Sequence, residues 1–124
     1  MAPVVGRIRT DATFRALSRP EGRARRGPLS VDYSRVAEAS TLPLVGYAVG
    51  RRHGGAVARN RLRRRLRAAV RVVAPELAAG AYLVRAAPGA NDLDFELLRR
   101  AVRDAARSAA GRAGTSAAEE GRHA

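Results

Sequence analysis

The chain of 124 residues contains no cysteine, no lysine and no tryptophan. Without cysteine it has no disulfide, no thiolate ligand for a metal and no thiol nucleophile, which is typical of proteins from a reducing compartment. Long apolar runs are also absent: none approaches the roughly 20 residues that cross a bilayer, and the N-terminus lacks the apolar stretch of a secretory signal. We therefore expect a cytoplasmic protein with no membrane partner.

Acidic side chains are scarce relative to basic ones. The 11 acidic residues stand against 24 basic residues, all of them arginine, and the formal net charge is +13. A guanidinium group is planar and permanently charged, and it can donate two parallel hydrogen bonds to phosphate oxygens. Because so large a positive excess attracts polyanions, nucleic acid is the leading class of partner.

A chain of this length buries one hydrophobic core but not two. Both of its ends are weakly patterned, and the C-terminal one is small, polar and glycine-containing, which is typical of disorder. We predict a single domain over residues 7–110, flanked by disordered residues 1–6 and 111–124.

The first predicted element is a short helix. Asp11 is placed to cap it, Phe14 and Leu17 supply apolar contacts at a spacing of three, and Pro20 ends it. The basic segment 19–28 contains glycine and proline, so we predict an irregular connection there.

Three segments have the patterns of strands. Leu29 to Ser34 alternates apolar and polar residues, which favours a half-exposed strand, whereas Leu44 to Val49 is almost wholly apolar and favours a buried one. Residues 81–87 form a further buried candidate, which ends at the turn signal of residues 88–91.

The segment from Arg51 to Arg71 holds nine arginines and no acidic residue. Gly54 and Gly55 open a helix in it, and the apolar stripe of that helix is Leu62, Leu66, Ala69, Val70 and Val73. The opposite side of the helix carries Asn60, Arg63, Arg64, Arg67 and Arg71, flanked by Arg61 and Arg65. Like charges one turn apart cost a helix about a few tenths of a kcal/mol per pair, so we expect a polyanion to offset the repulsion.

A last helix follows, with Asp94 as its expected N-cap. Its apolar positions are Phe95, Leu98, Val102, Ala105 and Ala109. Together these elements predict an α+β sandwich with helices packed over a small sheet.

The residues from Gly54 to Arg67 also carry a family resemblance. They read Gly-Gly-Ala-Val-Ala-Arg-Asn-Arg-Leu-Arg-Arg-Arg-Leu-Arg, which resembles the Arg-Asn-Arg signature of the protein subunit of bacterial ribonuclease P. The likeness extends over about residues 7–110, through the helix with Phe14, the run Val45 to Val49 just before the motif, and the Asp94-Phe95 helix start.

This resemblance implies a particular fold and activity. The fold has the order α-β-β-β-α-β-α, with a four-stranded sheet and a left-handed strand-helix-strand crossover, where general statistics favour a right-handed one. The expected partners are ribonuclease P RNA and precursor tRNA, whose 5′ leader the assembled endoribonuclease removes. The RNA carries the chemistry and requires Mg²⁺ for it, and no metal is expected to be tightly bound by the protein. DNA is not an expected partner.

The resemblance also implies two sets of site residues. The motif side chains expected to face the RNA subunit are Arg59, Asn60, Arg61, Arg63, Arg64, Arg65 and Arg67. The side chains expected to line a cleft for the leader are Phe14, Tyr33, Arg15, Arg35 and Arg51. An aromatic ring stacks on any base, which suits a leader of variable sequence, although both aromatic residues could equally be part of the core.

Two positions depart from the family pattern. Ser18 stands four residues after Phe14, where many members carry a second aromatic ring, so a two-ring platform is in doubt. Gly55 replaces the usual polar residue at the start of the motif helix and removes a side-chain cap.

Other readings of the chain remain open. Asp92, Asp94 and Glu96 are close enough in sequence to hold Mg²⁺, but acidic residues also favour a helix start for electrostatic reasons. His53 could act as a base or contact a phosphate, or it could be a loop histidine with neither role. A structural RNA-binding protein, such as a small ribosomal protein, would share the basic helix. A helix lying on an anionic membrane is disfavoured because its apolar face lacks large residues.

Overall fold

The computed structural model describes residues 4–35 and 40–123, with side chains described as far as residue 114. Its strands are β1 (Gly6–Arg7), β2 (Gly22–Arg26), β3 (Leu29–Ser34), β4 (Pro43–Ala48) and β5 (Gly80–Ala86). Its α-helices are α1 (Asp11–Ser18), α2 (Ala56–Val73) and α3 (Phe95–His123), and single 3-10 turns lie at Arg51–His53, Ala74–Glu76 and Ala90–Asp92. The predicted α+β class is confirmed.

The strands form one mixed sheet in the order β1-β4-β5-β3-β2. β4 is parallel to both β1 and β5, whereas β3 is antiparallel to β5 and to β2. Because α2 connects the parallel strands β4 and β5, it lies in the predicted strand-helix-strand crossover. The left-handedness of this crossover stays a prediction. In the described part of the chain the sheet has five strands rather than the four that the resemblance implied, and the additional one is the two-residue edge strand β1.

Strand β2 occupies the segment that was predicted to be a connection. Its residues alternate between buried and exposed, since Gly22 and Ala24 are buried while Arg23 and Arg25 are exposed. The buried positions hold only small residues, so no apolar pattern stands out in the sequence. Gly22 is required by close packing: a Cβ atom there would lie 1.9 Å from the carbonyl oxygen of Ala109 on α3. Three of the five residues of β2 are arginine, so its sequence resembles that of a basic loop.

The main core lies between the sheet and the helices α2 and α3. All five predicted stripe residues of α2 are buried there, among them Leu62 and Leu66 at 0% exposure. Fully burying a leucine side chain contributes about 1.5–3 kcal/mol, so this stripe holds the arginine-rich helix in place despite its own charge repulsion.

Helix α3 follows its predicted pattern except at its first residue. The Asp94 carboxylate caps the helix by accepting a hydrogen bond of 2.8 Å from the backbone N–H of Leu97. Leu98, Val102, Ala105 and Ala109 are buried as predicted, but Phe95 is 41% exposed. Leu93, just before the helix, packs against that end of the core instead.

Helix α3 also continues past Ala110, where the folded domain was predicted to end. Ala113 is buried in the main core, and the helix reaches His123. Alanine has the highest helix propensity, so this alanine-rich segment can remain helical without strong amphipathic patterning. At the other end, Val5 packs against the main core within the segment that was predicted to be disordered, and residues 1–3 lie outside the described part of the chain.

Helix α1 covers the opposite face of the sheet at one end. Leu17 is buried there in a small cluster with Ile8, Leu44 and Ala81. The N-cap is Thr10 rather than the predicted Asp11, because the Thr10 hydroxyl accepts the backbone N–H of Thr13 at 3.2 Å.

Candidate nucleic-acid interface

The turn before α2 is built from glycine and one histidine. Gly54 has φ +100°, a left-handed conformation that side chains other than glycine rarely adopt. The His53 Nε2 atom lies 2.7 Å from the carbonyl oxygen of Ala86 and so ties the turn to the end of β5. His53 therefore has a structural role in this arrangement, and neither a base nor a phosphate contact is needed to explain it.

One side of α2 presents a basic surface that we call the arginine face, formed by Asn60, Arg63, Arg64 and Arg67. These side chains lie together on one side of the helix, as the helical spacing predicted, and with Val57 they line one depression. Arg71, predicted on the same side, does not line it. The guanidinium of Arg63 donates a hydrogen bond of 3.2 Å to the amide oxygen of Asn60. The arginine face therefore combines several guanidinium groups with an amide that can both donate and accept hydrogen bonds.

The other arginines of the motif have different surroundings. Arg65 donates to the backbone oxygen of Asn91 at 3.0 Å and also to that of Leu93. These bonds make Arg65 a brace between α2 and the segment before α3, and its contact with the RNA subunit stays a prediction. Arg61 is exposed, and Arg59 is half-buried with its Nε atom unpaired in the described structure.

A second depression, of about 430 Å³, adjoins the arginine face, and we call it the Phe14 cleft. It is lined by Val5, Gly6, Arg7, Ile8, Phe14, Val45, Gly46, Tyr47, Arg63, Arg67 and Arg71. Arg63 and Arg67 belong to both depressions, so the cleft and the arginine face form one continuous basic surface.

Phe14 forms one wall of this cleft. It was expected to be an apolar contact of α1, but its side chain is 48% exposed. Its Cε1 atom would lie only 3.4 Å from a Cβ atom added at Gly46, so the glycine allows the ring to lie across β4. An exposed ring that is held against a strand is suited to stacking on a nucleic-acid base.

Tyr47 is a cleft residue that the sequence prediction missed. It lies within the almost wholly apolar run Leu44 to Val49, which was assigned to a buried strand, although its place just before the motif was a usable signal. The guanidinium carbon of Arg67 lies 5.8 Å from its ring centroid, within the range of a cation–π contact. Burial raises the pKa of Tyr47 to about 12, and the nearby Arg67 and Arg71 charges offset part of that shift.

Tyr33 does not line the Phe14 cleft, so its predicted place beside Phe14 is wrong. It is 4% exposed, its hydroxyl donates to the Ala79 carbonyl at 2.7 Å, and its ring centroid lies 4.9 Å from that of Tyr82. Alternation along β3 places Tyr33 in the main core with Leu29 and Val31, on the face opposite Phe14. The core alternative therefore holds for Tyr33.

The remaining predicted cleft residues are exposed but do not line the Phe14 cleft. Arg15 lies on α1, Arg51 lies in the turn before α2, and Arg35 donates to the Glu21 carboxylate at 2.9 Å. The structure brings Phe14 together with Arg63, Arg67 and Arg71 instead.

The acidic cluster near residue 94 is used by α3. Asp94 caps the helix, and Glu96 pairs with Arg99 and Arg100. The hydrogen bond from Arg99 lowers the pKa of Glu96. Among the side chains of residues 4–35 and 40–114, no group of three histidine or acidic residues is arranged to hold a metal ion. Within residues 4–35 and 40–123, no helix has the length and apolar character needed to cross a membrane.

A basic helix face that continues into an aromatic cleft, carried on a mixed sheet, defines a nucleic-acid-binding protein. A family model named Ribonuclease P matches residues 3–110 of the chain. The ribonuclease P protein component of Micrococcus luteus is 40% identical over 111 residues, which cover 81% of this chain and 84% of the relative. That of Symbiobacterium thermophilum is 36% identical over 99 residues, covering 79% and 85%.

Solved structures share the fold. The ribonuclease P protein from Thermotoga maritima matches with a TM-score of 0.69 and 21% identity, over 81% of this chain and 94% of that one. A Staphylococcus aureus ribonuclease P protein matches with a TM-score of 0.66 and 22% identity, over 80% and 90%. The chain belongs to the ribonuclease P protein family. It is accordingly a protein subunit of the ribonucleoprotein that processes tRNA.

Proposed function

We propose that the arginine face of α2 docks on ribonuclease P RNA and that the Phe14 cleft holds the 5′ leader of precursor tRNA. The observation that carries this proposal is the continuity of the two surfaces through Arg63 and Arg67. A leader held against Phe14 would lie beside the helix that binds the catalytic RNA, so the protein would connect substrate to enzyme.

The arginine face suits a folded RNA. Arg64 and Arg67 are exposed on successive turns of one helix, and each guanidinium can bind a phosphate through two hydrogen bonds. Binding of this kind releases counterions and weakens steeply with salt, and it needs no base sequence. Asn60 adds a donor and an acceptor for a base edge or a ribose hydroxyl.

The Phe14 cleft suits a single strand of variable sequence. Stacking of a base on an aromatic ring contributes about 1–3 kcal/mol and depends little on which base is present. Ser18 stands four residues after Phe14, where many family members carry a second aromatic ring. Its hydroxyl donates a hydrogen bond of 2.6 Å to the Arg15 carbonyl. Helix α1 therefore contributes one ring to the cleft, and Tyr47 on β4 and the guanidinium groups of Arg63, Arg67 and Arg71 supply the rest of the attraction.

In this scheme the bond cleavage belongs to the RNA and its Mg²⁺ ions, in the cytoplasm. The protein lowers the repulsion between two polyanions and orients the leader. Two of the three acidic residues at the start of α3 have structural roles, since Asp94 caps the helix and Glu96 pairs with Arg99 and Arg100. This supports a positioning role for the protein.

Reconstitution tests this function directly. Precursor tRNA would be incubated at low millimolar Mg²⁺ with the organism's own ribonuclease P RNA, with and without the purified protein. We expect correct 5′ processing to depend on the presence of both. Failure with correctly folded RNA would favour a structural RNA-binding protein, and cleavage by the protein alone would reassign the chemistry to Asp92, Asp94 and Glu96.

A further inference from the structure

We propose that Asp32 is a positioning residue that holds Arg23 and Arg85 as a second phosphate-binding pair, for the part of the leader that extends beyond the Phe14 cleft. This inference rests on the proposed function and extends the path of the single strand across the sheet. Neither arginine belongs to the motif helix, and none of the three residues was predicted to be in a site.

The three side chains form a compact ion cluster. Asp32 is fully buried, at 0% exposure, and each of its carboxylate oxygens accepts one hydrogen bond of 2.7 Å. The donors are the Nε atoms of Arg23 and Arg85, whose side chains remain 59% and 48% exposed. Because Nε makes the bond to Asp32, the two terminal nitrogens of each guanidinium are not used by the carboxylate and can bind a phosphate.

The register of the sheet places this cluster on the same face as Phe14. Asp32 pairs across the sheet with Arg23 on β2 and with Leu83 on β5. Arg85 is two residues beyond Leu83, so both point to one face, at a separation of about 7 Å along the strand. Leu83 packs beside Phe14 over Gly46, since the side chains of Leu83 and Phe14 both lie within 3.6 Å of a Cβ atom added at that glycine.

The burial of Asp32 argues for positioning rather than for simple stabilisation. A buried carboxylate loses its hydration, and an apolar residue of similar size is often as stable or more stable at such a site. The Asp32 cluster instead fixes two long side chains that would otherwise sample many rotamers. Side chains that are ordered before binding lose less entropy when a phosphate arrives, which increases affinity without adding a contact.

The variant Asp32→Asn distinguishes positioning from bulk charge by the sign of its effect. It preserves shape and adds one unit of positive charge, so diffuse electrostatics alone would tighten RNA binding and steepen its salt dependence. Positioning predicts the opposite. We expect the holoenzyme to bind a precursor with a long leader about 5- to 10-fold more weakly, the loss of roughly one ordered charge-assisted contact.

The dependence of binding affinity on leader length distinguishes a positioning role of Asp32 from a merely structural one, because a structural defect would not depend on leader length. A precursor whose leader ends at the Phe14 cleft should bind Asp32→Asn holoenzyme as tightly as wild type, because it does not reach the arginine pair. Arg85→Gln and Arg23→Gln should each weaken long-leader binding and lower its salt slope by about one. The matched control is Arg107→Gln, which removes an equal charge from α3 on the other side of the sheet, where Arg107 is 60% exposed.

These two arginine variants also keep the test valid if Asp32→Asn fails to fold, because each leaves Asp32 with one partner. Phe14→Ala is measured in the same series. If wild-type holoenzyme shows no preference for a leader at all, the proposed function itself fails. If Phe14→Ala loses that preference while the variants at Arg23, Asp32 and Arg85 bind long and short leaders like wild type, the proposed function stands and the role of Asp32 is overturned.

Discussion

The two faces of the sheet are covered differently, and the difference separates structure from recognition. One face lies under α2 and α3 and contains the main core, including Tyr33 and Tyr82. The other face is covered by α1 at one end, where Phe14 stays half-exposed, and carries the half-exposed Arg23 and Arg85. Alternation along β3 therefore separates Tyr33, which supports the fold, from Asp32, which lies on the face that carries Arg23 and Arg85.

The largest effect on stability is expected in the main core, between the sheet and α2. Leu66→Ala should lower the free energy of unfolding by about 2–5 kcal/mol, because it leaves a cavity under α2. Val57→Ala, at a position that is 83% exposed on the same helix, should change stability by less than about 0.5 kcal/mol. Urea denaturation measures both values, and similar losses for the two variants would contradict the assignment of the two sides of α2.

Variants of Phe14 and Tyr33, which lie on opposite faces of the sheet, compare the two faces directly. Phe14→Ala should leave the affinity for ribonuclease P RNA unchanged but reduce the preference for precursor over mature tRNA by about 1–3 kcal/mol, through loss of one stacked base. The measurement is the equilibrium affinity of the holoenzyme for each tRNA. Tyr33→Phe serves as the control, since it should cost about 1 kcal/mol of stability through the lost hydroxyl bond and leave that preference intact.

Arg64 and Arg65 allow the same comparison within α2, between an arginine that can face RNA and one that supports the fold. Arg65→Ala should lower the free energy of unfolding by about 1–3 kcal/mol, because the carbonyl groups of Asn91 and Leu93 lose their donor. Arg64→Ala should leave stability unchanged but reduce the salt slope of binding to ribonuclease P RNA by about one. If Arg65→Ala were as stable as wild type while Arg64→Ala unfolded more easily, the two roles would have to be exchanged.

The smallest effect concerns alkaline pH. Burial raises the pKa of Tyr47 to about 12 and also raises the pKa values of Tyr33 and Tyr82, from an ordinary value of 10.0. Above pH 10 the unfolded chain releases phenolic protons that the folded chain retains, so stability present below pH 10 is lost as the pH rises toward 12. Tyr47→Phe should lessen this loss. Phenolate absorbance from the folded protein that titrates with a midpoint near 10 would contradict the shift.

Strong periodic patterns in the sequence predicted much of this fold. The apolar stripe of α2 and the Asp94 cap are confirmed because each depends on local spacing that packing reinforces. Strand β3 forms where its alternation predicted it, but the predicted half-exposure is wrong, since its polar residues Asp32 and Ser34 are buried as well. Strand β2 and the extension of α3 were missed because arginine and alanine mask their periodicities. Gly22 is explained only by the close approach of α3, a contact between segments far apart in the chain.

The site was harder to predict than the fold. The spacing of Asn60, Arg63, Arg64 and Arg67 identified the arginine face, since helical geometry places these residues together. Spacing could not show that Arg65 bonds to the segment before α3, because that contact depends on tertiary packing. Tyr33 was assigned to the cleft by resemblance although its own alternation with Leu29 and Val31 placed it in the core.

Site-specific crosslinking tests the two-surface account most directly. Photoreactive benzoylphenylalanine would be placed at position 14 or at position 64 of the holoenzyme bound to precursor tRNA, with position 107 on α3 as the control. We expect position 14 to crosslink the 5′ leader, position 64 to crosslink ribonuclease P RNA, and position 107 to crosslink neither. Crosslinks from position 14 to the catalytic RNA alone, or from position 64 to the leader alone, would contradict the assignment of the Phe14 cleft and the arginine face.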